Sequence, residues 1–170
     1  PMTLLCLENT PNRGGGRVWP QGQLAAVCGE ARALGLRLHL DGARLWNAAV
    51  FLQVPPRELA APFDTVSVCL SKGLGAPAGS LLCGGRAEID LARRYRRMYG
   101  GSMRQAGILA AAGVYALTRH YERLQVDHDN ALLIANHLRG LSTVRVVQPV
   151  ETNIVLFDLL DGAPDADAVV

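Results

Sequence analysis

Short runs of four to six apolar-rich residues, each closed by polar or turn-forming positions, recur through the first half of the chain. Residues 4–8, 37–40, 65–70 and 80–83 have this form, and their length and boundaries predict β-strands. Between the first two, residues 21–34 follow Pro20 and stop before Gly35, the usual asymmetry of helix boundaries. Strands alternating with helices predict a mainly parallel sheet flanked by helices, and strands apolar at nearly every position fit a sheet covered on both faces. The expected fold class is α/β.

From residue 86 the pattern turns helical. Residues 86–98 are basic and amphipathic, 105–120 are alanine-rich, and 122–138 carry Leu124, Leu132, Leu133 and Leu138 near helical spacing. After Gly140, runs at 144–147 and 153–157 return to strand character on either side of Gln148-Pro149. A boundary near residue 140 follows, with a larger α/β unit over 1–140 and the start of a small α+β unit over 141–170. An apolar run begins almost at residue 1, and residues 165–170 read as a helix opening that is never completed. The chain therefore reads as an interior, truncated segment of a longer protein.

Composition narrows the function. With 170 residues and 49% hydrophobic content the chain is long enough for one domain with a real core. Its 17 Lys and Arg against 15 Asp and Glu give a charge of +2, which offers no electrostatic case for nucleic acid or an anionic membrane. The longest strongly apolar stretch, 107–117, is about half of the ~20 residues a membrane helix needs. Small-molecule chemistry is the expectation. Cys6, Cys28, Cys69 and Cys83 form no C-x-x-C pair and mostly occupy apolar segments, as small buried hydrophobes would, which suits a reducing, cytoplasmic compartment.

In parallel sheets, ligands bind beyond the carboxyl ends of the strands, so polar residues directly after apolar runs are the ones to inspect. Three such places are Glu8-Asn9-Thr10, Asp41-Gly42-Ala43-Arg44 and Ser71-Lys72-Gly73-Leu74-Gly75. An Asp closing one strand and a Lys following another could share a rim if the strands are near neighbours. That pair suits pyridoxal phosphate, which needs an amine to form a Schiff base and a carboxylate to keep its pyridine nitrogen protonated. The glycines after Lys72 admit a close ligand, and Ser71 could offer its hydroxyl to the cofactor phosphate. Spacing alone leaves the alternative that Lys72 is a solvated turn lysine and Asp41 a helix N-cap. Gly14-Gly15-Gly16 lacks a phosphate-binding frame and reads as a flexible turn, while His39 and His128 read as packed or capping histidines.

Taken together, Leu7-Glu8-Asn9-Thr10, His39-Leu40-Asp41-Gly42-Ala43-Arg44, Ser71-Lys72-Gly73-Leu74-Gly75-Ala76-Pro77 and Gly101-Ser102-Met103-Arg104-Gln105-Ala106-Gly107 resemble the threonine aldolases, in that order. Asp127-His128-Asp129-Asn130-Ala131 and Glu151-Thr152-Asn153 extend the resemblance over nearly the whole chain. It implies part of the aspartate-aminotransferase-like fold, with 1–140 as a partial cofactor-binding large domain. It also implies retro-aldol cleavage of L-threonine or L-allo-threonine to glycine and acetaldehyde, with pyridoxal phosphate as cofactor, usually in a homotetramer. Lys72 would be the Schiff-base lysine, Asp41 the partner of the pyridine nitrogen, and Arg44 a neighbour of the ring hydroxyl or the substrate carboxylate.

Arg104, opening a helix, and Arg97, within the run Arg93-Arg94-Tyr95-Arg96-Arg97, would act near a neighbouring subunit's cofactor phosphate. For both, the alternative is a solvated helix face. One departure stands out, because family members commonly read Glu-Asn-Thr-His-Asn where this chain has Glu8-Asn9-Thr10-Pro11-Asn12. Proline can neither exchange a proton nor donate a hydrogen bond there. The family's Gly-rich phosphate turn, its ring-stacking histidine and a substrate-carboxylate arginine have no counterpart in the chain. Two further readings stay open: a catalytically inactive remnant that is at most a subunit partner, and another lyase of the same cofactor class acting on a β-substituted amino acid.

Overall fold

The computed structural model describes residues 2–168. Strands β1 (Leu4–Glu8), β2 (Arg37–Gly42), β3 (Thr65–Cys69) and β4 (Ser80–Gly84) form one sheet in the order β1-β2-β3-β4. The first two pairings are parallel and the last is antiparallel. That antiparallel step follows from chain length. β3 and β4 are joined by the loop 70–79, with no helix to carry the chain back to the sheet's starting edge.

Helix α1 (Gln21–Ala33) begins after Pro20 and ends before Gly35, whose φ of +75° suits glycine. It buries Leu24, Cys28 and Ala31, a stripe at helical spacing. Helices α2 (Leu45–Leu52) and α3 (Pro56–Ala60) were not evident as separate elements, being short and divided by the left-handed Gln53 and by Pro55. The main core joins these helices to the inward residues of β2 and β3: Leu38 and Leu40, both fully buried, with Val66 and Val68. Gly42 completes this face. A Cβ there would come within 2.9 Å of the Ser67 carbonyl oxygen.

The sheet is less enclosed than uniformly apolar strands suggest. β2 and β3 alternate buried and open positions, β1 is at most half-buried, and β4 is exposed throughout. Both β1 and β4 are edges. Helix α4 (Arg86–Met98) approaches the face opposite α1 and α2, where Arg37 donates to Glu88 at 2.7 Å, but none of its residues is buried. The cysteine expectation needs the same correction. All four thiols are free, yet only Cys28 is buried, because Cys6 and Cys83 lie on the two edge strands.

Helices α5 (Gly107–Arg119) and α6 (Leu124–Leu138) follow, then a separate two-stranded antiparallel sheet of β5 (Val144–Val146) and β6 (Phe157–Leu159). The strand expected over 153–157 is thus displaced toward the C-terminus. The residues just before it are engaged elsewhere: Thr152 Oγ1 donates to the Gly16 carbonyl at 2.6 Å, and the Glu151 carboxylate accepts from the Val18 N–H at 2.7 Å. Ala166–Ala168 form a short 3-10 turn, while Val169 and Val170 of the expected helix opening lie outside the described residues.

Candidate active site

Two neighbouring strands deliver Asp41 and Lys72 to the same rim. β2 and β3 pair directly, with Asp41 opposite Ser67, so that Asp41 stands at the carboxyl end of β2 and Lys72 in the loop leaving the carboxyl end of β3. Asp41 pairs on its other side with Glu8, and paired residues of parallel strands project to one face. Glu8, Asp41 and Ser67 therefore form a row. Asp41 Oδ1 accepts from the Ala43 N–H at 3.0 Å, which fixes the carboxylate at the entrance to α2.

Arg44 follows on the same turn and donates to Asn12 Oδ1 at 3.2 Å, while the Asn12 N–H reaches Glu8 Oε1 at 3.4 Å. These contacts tie the ends of β1 and β2 together. Pro11 opens a tight turn in which its carbonyl accepts from the Gly16 N–H at 2.9 Å. Gly15 and Gly16 adopt φ of +74° and +69° and are buried, so the glycine run is a packed turn rather than a flexible one.

The loop carrying Ser71 and Lys72 is held from below. Leu74 is 1% exposed and inserts among Leu70, Ala116 and Leu124, while its carbonyl accepts from His120 Nδ1 at 2.7 Å. Within the loop the Gly75 N–H bonds the Lys72 carbonyl at 2.8 Å and the Ala76 N–H bonds the Leu70 carbonyl at 3.0 Å. Gly75 has a φ of +72°. A Cβ on Gly73 would approach Leu124 Cδ2 to 2.6 Å, so glycine lets the backbone after Lys72 lie against α6. The Lys72 and Ser71 side chains themselves are exposed, with no hydrogen bond or ion pair among the described residues.

Asp41, Arg44, Ser71 and Lys72 are thus gathered at one rim. No contact among the described residues brings Arg97 or Arg104 there. Arg97 lies exposed in the last turn of α4, and Arg104 sits in a turn before α5 rather than opening the helix. Gln105, at φ +52°, breaks the helical path, so α5 starts at Gly107 and its first-turn N–H groups lie beyond Arg104.

His39 bonds Thr65 Oγ1 at 2.8 Å. His128 is buried in α6 against Asn47 Nδ2 at 3.1 Å, and burial holds its imidazole below the ordinary histidine range, partly opposed by Asp127 and Asp129. Both are packing histidines. Two features escaped the sequence reading. His120 gave no signal, because its partner is a backbone carbonyl. The other was open to counting: Lys72 is the only lysine, and the other 16 of the 17 Lys and Arg residues are arginine.

The beta-eliminating lyase family model matches residues 1–161. Low-specificity L-threonine aldolase 1 of Arabidopsis thaliana is 45% identical over 161 residues, covering 94% of this chain and 45% of that protein. The low specificity L-threonine aldolase of Escherichia coli K12 is 51% identical over 136 residues, 80% of this chain and 40% of that one. A solved structure of a candidate aromatic amino acid beta-eliminating lyase/threonine aldolase from Exiguobacterium superposes with a TM-score of 0.82 at 30% identity, covering 88% of this chain and 43% of that one. The chain spans less than half the length of the curated relatives it matches. Its sheet, helices and rim are those of part of an aspartate-aminotransferase-like fold, and the chain belongs to the beta-eliminating lyase family.

Proposed function

We propose that this chain supplies the lysine and aspartate of a low-specificity threonine aldolase site, acting with pyridoxal phosphate on L-threonine or L-allo-threonine to give glycine and acetaldehyde. One observation carries the reading: the chain's sole lysine sits exposed beyond β3, at the rim where the adjacent strand carries Asp41 at its carboxyl end. A chain that otherwise uses arginine for positive charge has kept lysine where an amine nucleophile is required. A guanidinium cannot serve, since it stays protonated and forms no Schiff base under these conditions.

The donor set fits the cofactor. Lys72 offers an amine and Ser71 a hydroxyl, both exposed, and the Asp41 carboxylate is fixed by the Ala43 N–H, whereas the glycines after Lys72 serve packing against α6 and His120. When bound, pyridoxal phosphate supplies the electron-accepting ring that lets the substrate's Cα–Cβ bond break. Lys72 would hold the cofactor through its amine, Asp41 would keep a proton on the ring nitrogen, and Arg44, steadied by Asn12, would face the ring hydroxyl or the substrate carboxylate. Pro11 takes no part in moving the hydroxyl proton, having no ionisable group and a carbonyl already bonded to Gly16. Arg97 and Arg104 serve a neighbouring subunit's phosphate in a homotetramer.

The test is chemical. Mixed with pyridoxal phosphate and reduced with borohydride, the chain should gain a stable adduct on the Lys72 peptide that Lys72→Arg lacks. With threonine it should release acetaldehyde. An adduct with no acetaldehyde, but with pyruvate from a β-substituted amino acid, would replace the aldolase reading with a β-eliminating one. No adduct on the Lys72 peptide would overturn both.

A further inference from the structure

Loops that carry a reacting amine must hold it in one place, because small displacements of an attacking atom cost much of the rate. The loop 70–79 has few internal means of doing so. Its own backbone bonds, Gly75 to Lys72, Ala76 to Leu70 and Leu70 to Gly79, close it on itself but do not attach it to anything else. Leu74 anchors it through apolar packing, which restrains depth more than direction. Beyond the loop's start, where Trp46 Nε1 bonds the Cys69 carbonyl at 2.9 Å, its long-range polar tie among the described residues is His120 Nδ1 on the Leu74 carbonyl at 2.7 Å.

We infer that His120 is a positioning residue for Lys72, its Nδ1–H fixing the loop in the orientation from which the amine reacts. The side chain is prepared for that task. His120 caps the C-terminus of α5, where its N–H bonds the Ala116 carbonyl, and its ring stands edge-on to Tyr115 with centroids 5.4 Å apart. The ring thus packs against Tyr115 while its Nδ1 meets the Leu74 carbonyl, and a Cβ on Gly75 would lie 3.7 Å from Nδ1. A carbonyl only accepts, so Nδ1 must carry the proton.

This assignment rests on the proposed role of Lys72, and two variants test it. His120→Phe keeps a ring against Tyr115 but removes the donor; His120→Asn places an amide N–H close to where Nδ1 stood. The first readout is the rate of borohydride-trapped pyridoxal phosphate on Lys72, with thermal stability measured alongside. The second needs no cofactor: hydrogen exchange at the Gly75 and Ala76 amides.

His120→Phe should slow trapping by about fivefold, the worth of one net hydrogen bond, and speed exchange at those amides, while His120→Asn restores both toward wild type. Trapping and exchange unchanged in His120→Phe would overturn the inference. So would equal losses in both variants that follow their melting temperatures, which mark a merely structural residue. If the wild-type chain traps no cofactor, the proposed function fails. The exchange comparison then still decides whether His120 orders the loop.

Discussion

Between Val18 and Val68 the chain builds a closed core, whereas from Ser80 to Met98 no residue is buried. Both regions carry clear periodicity. In the first, Leu24, Cys28 and Ala31 of α1 meet Leu38 and Leu40 of β2. In the second, Leu91, Tyr95 and Met98 of α4 form an equally regular stripe whose members remain 51%, 47% and 65% exposed. Periodicity thus reports which face of an element is apolar, and burial depends on what is brought against that face. Asp41 lies within this closed region and the Lys72 loop rests on a second buried cluster, Leu70, Leu74, Ala116 and Leu124, and this is why the geometry of the rim is defined within the chain.

The sharpest way to test the contrast is to truncate one apolar side chain on each side. Leu40→Ala, at a fully buried site in β2, should lower unfolding stability by about 2–5 kcal/mol in a denaturant titration. Asn47→Leu acts one layer outward. It strips the buried His128 ring of its partner and should cost about 1–3 kcal/mol by the same measurement.

Burial holds His128 below the ordinary histidine value of about 6.5, so as acid is added the unfolded chain takes up this proton first. The stabilisation is fully present above that value and is lost as pH falls through the folded one. His128→Gln, which leaves Asn47 a hydrogen-bonding partner, should flatten the stability profile below about pH 6.5. The smallest effect belongs to α4: Tyr95→Ala should shift stability by no more than about 0.5 kcal/mol. A larger loss would mean that the stripe on α4 is covered in solution, and the comparison would fall.

Much of the fold was legible because its signals are local. Pro20 and Gly35 bracket α1, and Glu8, Asp41 and Ser71-Lys72 each follow an apolar run, so strand ends and site candidates coincide. What escaped depended on partners far along the chain. The antiparallel entry of β4 depends on the length of one loop, and the exposure of Cys6 and Cys83 on strand order. His120 acts on a carbonyl 46 positions away, and carbonyls leave no mark on a sequence. Arg104 reads as a helix opening because it follows the Gly100-Gly101 break and precedes the alanine run; the left-handed Gln105 is a conformation that composition does not announce. The arginine excess was visible throughout and acquires meaning only once Lys72 is seen at the rim.

The bond from Thr152 to Gly16 spans 136 positions, so making it closes nearly the whole chain into a ring. The entropy lost in such a closure grows with the logarithm of the enclosed length and is offset only after the sheet between its ends has formed. This fastening therefore comes late as the chain folds and is among the first to release under stress. Its release, with that of the neighbouring Val18–Glu151 bond, loosens the segment around Glu151 and Thr152 while the four-stranded sheet stays intact. Limited proteolysis should accordingly cut the C-terminal segment first, leaving a resistant fragment that still carries Asp41 and Lys72.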